Sequence, residues 1–370
     1  MTAAAEARRA FNLPSLDGVR ALAALMVFGS HAGWGHVVPG GFGVTVFFFL
    51  SGFLITTLMR REFDQTGTID LGAFYLRRVY RILPPLYFVL AVIAVISLVF
   101  GWYVTTTGSG VMSLILQYSN YFILQYGGHP LLPATGTFWS LAIEEHFYLV
   151  FPLLFMWAAR RFSGKGIAAL FLGLCVASLA WRCILVFGFG ADSDRTYLAT
   201  DTRMDSLLFG CIMGVWMNPA LDADPFRSNW SKLAMLAGGV ALLVAGFAIR
   251  DEQFRSTVRY TLQGLGLFPL FWLVVRHPEW LPFRILNTAP ARLLGALSYV
   301  FYLSHLLWLS VAVTLVGKHG LPASALALAM TLVFSYVVHR TIEIPFGNLR
   351  HRLHTRRAAI PGAAVKKGQA

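Results

Sequence analysis

Arg20 and His31 stand eleven residues apart in LDGVRALAALMVFGSHAGW (Leu16–Trp34), a stretch that is otherwise almost wholly apolar. On a helix turning about 100° per residue they fall about 20° apart on one face and about 16 Å apart along the axis. Arginine suits phosphate, and histidine titrates near neutral pH and serves as a general base. One helix face would then carry an anion-binding group at its start and a proton acceptor partway along. The competing reading of His31 is a core imidazole bonded to a carbonyl.

Arg78 and Arg81 sit three apart in FYLRRVYRILPPLY (Phe74–Tyr87), just before Pro84, and share a second helical face. Paired arginines suit a polyanion such as a nucleotide phosphate. The plainer alternative is a topology signal that also holds anionic lipid head groups. Glu144, Glu145 and His146 follow Trp139 and Ser140 in TFWSLAIEEHFY (Thr137–Tyr148). Neighbouring glutamates point about 100° apart, so at most one is expected to face a given site. Glu144 would orient a base or accept a hydroxyl, unless it only answers the positive end of its helix. Tyr302 and His305, i and i+3 in SYVFYLSH, read as a helix–helix hydrogen-bonding group. Arg203 and Asp205 read as a structural ion pair, and Gly33, Gly35, Gly40, Gly41 and Gly43 as a tight reversal.

The elements that carry these residues are membrane helices. Of 370 residues 57% are hydrophobic and 13% charged, against roughly a quarter charged in soluble domains. That excludes a cytosolic enzyme, a disordered chain and a small disulfide-stapled domain. Cys175, Cys183 and Cys211 all lie in apolar stretches with no metal or disulfide spacing, and read as packing residues. Apolar blocks at 19–38, 42–59, 83–104, 139–159, 166–189, 205–218, 231–249, 258–275, 292–316 and 321–339 predict an all-α polytopic bundle of about ten spans. Block 111–125 is too short and reads as a re-entrant or interfacial helix. Arg8 and Arg9 precede the first block, but no cleavage site follows, so the first helix is expected to be retained.

The net charge of +13 comes from 25 Arg and 5 Lys against 17 acidic residues. The basic residues cluster in gaps 60–82, 160–165 and 276–292 and after Arg340, as cytoplasmic loops do. Membrane topology, not nucleic acid, accounts for them. Ten spans with both termini inside keep all four clusters cytoplasmic. Gap 250–257, where Arg250 and Arg255 meet Asp251 and Glu252, then falls outside. The expected organisation is an N-terminal tail 1–12, a membrane domain 13–350 and a basic cytoplasmic tail 351–370. Ionisable groups inside spans cost about 2.5–3.5 kcal/mol each, which is why His31, Glu144, Glu145, His146, Asp205 and His305 draw a functional reading.

In order along the chain, LDGVRALAALMVFGSHAGW, GFGVTVFFFLSGFLIT (Gly41–Thr56), FYLRRVYRILPPLY, FWSLAIEEHFYLVFPLL, SYVFYLSH and IEIP (Ile342–Pro345) resemble the acyltransferase-3 family of integral membrane acyltransferases. The resemblance sets Arg20 and His31 at the family's Arg/Lys-x10-His, Arg78 and Arg81 at its Arg-x-x-Arg, and Glu144 at its WSL-x-x-E. His146 stands where many members have Gln, and Ile344 where Arg or Lys is frequent. Some members carry an extracytoplasmic hydrolase-like domain, which is not expected within these 370 residues. The resemblance implies transfer of an acyl group, usually acetyl, from cytoplasmic acyl-CoA to an acceptor hydroxyl on a surface glycan or a related saccharide.

On that reading His31 is the general base and Glu144 its partner in catalysis, while Arg20, Arg78 and Arg81 hold the CoA phosphates. Asp17, Ser51, Trp139, Ser140, Arg203, Asp205, Tyr302 and His305 are candidates for supporting positions. Acyl-CoA is a co-substrate, and no permanently bound cofactor, metal or nucleic acid is expected. The expected location is the plasma (inner) membrane of a bacterium. The competing function is a transporter or flippase of a lipid-linked glycan, which would suit the composition equally. Such transporters commonly carry internal repeats with broken helices at matching positions, and the sequence has none.

Overall fold

The computed structural model describes residues 13–226 and 228–349. The tails expected at 1–12 and 351–370 lie outside the described residues, as do Arg8, Arg9 and the basic residues from Arg350 onward. Among the described residues every regular element is helical. The main helices are α1 Pro14–Gly29, α2 Gly40–Thr66, α3 Leu71–Val99, α4 Gly108–Ile115, α5 Ser119–Tyr126, α6 Trp139–Ala159, α7 Gly164–Cys183, α8 Thr200–Val215, α9 Asn229–Ala248, α10 Val258–Arg276, α11 Ala289–Val316 and α12 Leu321–Val338.

Eight of these (α2, α3, α6, α7, α9, α10, α11 and α12) are long and apolar enough to cross a membrane. The other two apolar blocks became α1 and α8, of 16 residues each. Helix α8 is buried along its whole length except at Asp201 and Met204. Its closest neighbour is α2, because glycine faces backbone on both sides. A Cβ on Gly52 would lie 2.0 Å from the Leu207 carbonyl oxygen, and one on Gly210 would lie 2.0 Å from that of Phe49. Small residues at facing positions are how membrane helices approach this closely without a hydrophobic drive between them.

Several boundaries differ from expectation for local reasons. Helix α3 starts at Leu71 rather than 83, because the Asp70 side chain caps it by accepting from the Ala73 N–H at 2.8 Å. Arg77, Arg78 and Arg81 are therefore on the helix and not in a loop before it. The helix runs on through Pro84 and Pro85, as membrane helices do where neighbours re-satisfy the freed backbone. Block 111–125 is two eight-residue helices, α4 and α5, parted by Gln117 at φ 58°. Each is about 12 Å long, too short to cross. The mixed-charge segment 250–257 forms no ion pair among the described residues. Asp251 instead caps a short helix, Glu252–Ser256, through the Phe254 N–H at 2.7 Å. All three cysteines are free, Cys175 and Cys211 being buried in the packing.

Candidate functional site

A cavity of about 290 Å³ opens at the end of the bundle where α1 and α11 begin and α2 ends. Its wall on α2 runs from Leu58 to Val44, about 21 Å along a helix. Asp17 and Arg20 from α1 meet Arg78 and Arg81 from α3 near its entrance. Ser51, Glu144, Glu145 and Tyr148 line its side, and Ser140 and Tyr302 lie at its far end. The sequence thus brings three charged motif segments, far apart in the chain, onto one empty space.

Local geometry arms that space. Arg20 Nη1 lies 3.0 Å from Asp17 Oδ1, one turn back on α1. The Arg78 guanidinium lies 4.7 Å from the centre of the Tyr148 ring, a cation–π distance that leaves its N–H groups for a ligand. The Tyr148 hydroxyl donates to Glu144 Oε2 at 2.8 Å, and Ser51 donates to the same oxygen at 3.2 Å. Arg81 has no carboxylate within ion-pair distance among the described residues. Glu145 lines the cavity together with Glu144, against the expectation that only one could. Both side chains are long enough to reach a space that wraps around their helix.

At the far end Tyr302 Oη lies 2.7 Å from Ser140 Oγ and donates to the Thr137 carbonyl at 3.1 Å. One turn farther along α11 is His305, only 1% exposed. Its Nδ1 meets the Tyr302 carbonyl at 2.7 Å and its Nε2 meets His31 Nδ1 at 3.0 Å. The two imidazole centres are 5.1 Å apart. His31 is not partway through a long span as expected. It stands in a π turn, Ser30–Trp34, where α1 has already ended, and its side chain is exposed. Gly33, at φ 100°, makes this break, a backbone state that glycine adopts without strain. Arg20 correspondingly lies in the second turn of α1, not at its start. Arg20 faces the cavity and His31 does not; the Tyr302–Ser140 contact stands between the cavity and the histidine pair.

The remaining candidates lie elsewhere. Trp139 packs on Tyr197 and Phe48, with ring centres 4.6 and 6.3 Å away. Arg203 and Asp205 do not pair with each other, because residues two apart on a helix point to opposite sides. Asp205 instead binds Arg182 of α7 at 2.6 Å, both side chains being wholly buried. Arg203 lies 4.1 Å from the Tyr260 ring centre and donates to Thr45 Oγ1 at 3.0 Å. Among the described residues no cluster of His, Cys, Asp and Glu could hold a metal ion. Tyr148 and Arg182 went unnoticed in the sequence. Tyr148 was findable, since it is four residues after Glu144 and so on the same face. Arg182 had no such signal, because Asp205 and all its other partners except Ser178 lie outside its own helix.

Comparison with known proteins gives this geometry a family. A profile of the acyltransferase domain family matches residues 13–340. The O-acetyltransferase OatA of Staphylococcus aureus (strain NCTC 8325 / PS 47) is 30% identical over 346 residues, which cover 90% of this chain and 57% of the relative. The peptidoglycan O-acetyltransferase OatA of Listeria monocytogenes serovar 1/2a is 29% identical over 347 residues, covering 90% of this chain and 55% of that protein. The chain therefore spans little more than half the length of these relatives. No solved structure matches it. With the family profile covering nearly all of the described helices, the chain belongs to the acyltransferase-3 family and is a multi-pass membrane protein.

Proposed function

We propose that the protein is an O-acyltransferase that moves an acyl group, most simply acetyl, from cytoplasmic acyl-CoA to a hydroxyl of a surface glycan. The observation that carries the reading is the cavity that joins Arg20, Arg78 and Arg81 at one end to Ser140 and Tyr302 at the other, one turn from the histidine pair. Three guanidiniums suit the phosphates of CoA, and a narrow cavity beyond them suits a pantetheine arm and its thioester. The names of both relatives support acetyl as the group, and that of the Listeria protein supports a cell-wall glycan as the acceptor. All ten apolar helices would cross, with both termini and the arginine-rich entrance cytoplasmic in accord with the positive-inside rule. The membrane would be the bacterial plasma (inner) membrane. The membrane domain would be residues 13–350, and no resident cofactor or metal is invoked.

The hydrogen-bond network supports a role for His31 as the base. A carbonyl oxygen can only accept, so His305 Nδ1, facing the Tyr302 carbonyl, carries its proton. The neutral imidazole then presents Nε2 as an acceptor to His31 Nδ1. His31 must keep its own proton on Nδ1, which leaves its Nε2 lone pair unoccupied. That atom is the general base. It takes the proton of the acceptor hydroxyl as the hydroxyl oxygen attacks the thioester carbonyl. The tetrahedral intermediate collapses by breaking the C–S bond, and the proton passes to the departing thiolate, giving ester and free CoA. His305 acts through His31 as a positioning residue. Glu144 holds the cavity wall through Tyr148 and Ser51 and balances the arginines.

The deciding experiment measures acetyl-CoA binding and CoA release by the purified protein in detergent, wild type beside His31→Ala. Binding by both with release by wild type alone is the expected result. Folded wild type that binds no acetyl-CoA would overturn the acyltransferase reading and favour a transporter of lipid-linked glycan.

A further inference from the structure

At the opposite end of the bundle lies a second cavity, of about 900 Å³, which the donor chemistry does not use. Its rim carries Arg250 and Arg255, its wall Arg259, and its deeper part Tyr197, Tyr260 and Gln263. The turn that follows His31, from Gly35 to Gly41, forms another wall. Among the described residues none of the three arginines has a carboxylate within ion-pair distance. Asp194 and Glu252 also line the space but pair with none of them. Arg259 spends one N–H on the Tyr260 hydroxyl at 3.2 Å, while its Nε is shut off from solvent with no acceptor.

Beneath the cavity lies a fourth guanidinium. Arg203 is wholly buried, packs against the Tyr260 and Tyr197 rings that line the cavity, and has no ion-pair partner. Its Nε and Nη1 lack acceptors. Four unpaired guanidiniums against the two carboxylates of Asp194 and Glu252 leave the space with a net positive surround, which favours an anion. Their placement is also telling. With the arginine-rich entrance of the first cavity cytoplasmic, this end faces outward, where the positive-inside rule disfavours arginine. Topology therefore does not explain them, and a ligand does. The Tyr197 hydroxyl and the Gln263 amide line the same space and offer hydrogen bonds of the kind that hold a saccharide.

We propose that this cavity is the acceptor site and that it selects a saccharide bearing an anionic substituent. The anion is held by Arg255 and Arg259 and drawn by Arg203, while the Tyr197 hydroxyl and the Gln263 amide bond the sugar hydroxyls. The acceptor role rests on the acyltransferase reading; the preference for an anionic saccharide does not. The test titrates the purified full chain in neutral detergent with tetragalacturonate, with its fully methyl-esterified form, and with glycerol phosphate. Losing one bidentate arginine–carboxylate contact is worth about tenfold. The expected result is that the methyl ester binds about tenfold or more weakly than tetragalacturonate, and that Arg255→Gln and Arg259→Gln each remove that preference. Acetyl-CoA affinity, measured on the same samples, should stay as in wild type. Equal binding of the two tetrasaccharides, no binding of either, or a preference that survives both substitutions would overturn the proposal. Glycerol phosphate binding as tightly as tetragalacturonate would make the cavity a lipid-headgroup site and overturn it too. If acetyl-CoA binds and tetragalacturonate does not, this inference fails and the acyltransferase reading stands. If the charge preference is found without acetyl-CoA binding, the failure belongs to that reading.

Discussion

Arg182 and Glu144 are both charged side chains on apolar helices, but one is sealed and the other faces open space. Arg182 is wholly buried and uses every donor it has. Its Nε donates to the Thr257 carbonyl, Nη1 to Ser178 and the Thr202 carbonyl, and Nη2 to Asp205 and Thr261. Five N–H groups is all a guanidinium possesses, so nothing is left for a ligand. Glu144 accepts two hydroxyl bonds on one oxygen and lines a cavity with three arginines. A charge inside a membrane helix is functional by default, yet these two differ in what they can still bind. Saturation by protein marks a structural lock, and an empty neighbouring space marks a site.

The largest expected effect is in turnover alone. Removing a general base typically costs 10²–10⁴-fold, so His31→Ala should lose about that factor in CoA release while melting like wild type. His305→Leu should lose much of it too, because His31 would no longer be held with its proton on Nδ1. His305→Gln, whose amide oxygen can still accept at that place, should recover part. Equal losses in the leucine and glutamine variants would show that His305 only packs. The sealed cluster should fail in the opposite way. Arg182→Met leaves Asp205 buried without its partner, a defect of about 3–5 kcal/mol. Thermal unfolding in detergent should show it, and the pair Arg182→Met with Asp205→Leu should restore most of the loss. A single variant that melts like wild type would break the contrast drawn above.

Arginines in the first cavity should show a smaller effect, confined to the donor. A hydrogen bond to a charged group contributes about 1.5–3 kcal/mol. Arg78→Ala or Arg81→Ala should raise KM for acetyl-CoA about tenfold or more, with kcat little changed. The penalty should shrink in high salt, since entrance charges are screened. A fall in kcat at constant KM would move these residues from holding the donor to the chemistry itself.

How legible this was in the sequence depends on whether the determining contact is local. Helix α6 was readable to the residue, because the apolar residues between Trp139 and Ala159 outweigh Glu144, Glu145 and His146 and the run stops at Arg160. The start of α3 was not, since hydropathy discounts Arg77, Arg78 and Arg81, while the Asp70 cap starts the helix, Glu62 pairs with Arg77 and the cavity takes Arg78 and Arg81. The candidates Arg20, Arg78, Arg81 and Glu144 do meet, because each motif lies on a helix that the bundle turns inward. The His31–His305 contact joins residues 274 apart, and nothing in the spacing of either segment announces it. The Arg182–Asp205 pair is the same case, with Arg203 as the decoy nearer in sequence.

Tyr148 offers the finest probe of the contrast, because it touches both the Glu144 carboxylate and the Arg78 guanidinium. Tyr148→Phe removes the hydroxyl that donates to Glu144 Oε2 but keeps the ring under Arg78. One hydrogen bond contributes about 1 kcal/mol net, or about fivefold. Ser51 still donates to the same oxygen, so the carboxylate is not left bare and the loss should not exceed that. Tyr148→Leu also removes the ring face, which adds about 0.5–2 kcal/mol of cation–π support for Arg78. The phenylalanine variant should therefore lower kcat modestly with acetyl-CoA KM near wild type, and the leucine variant should raise KM as well. If both variants change KM alike, the hydroxyl and not the ring positions Arg78, and it does so through Glu144.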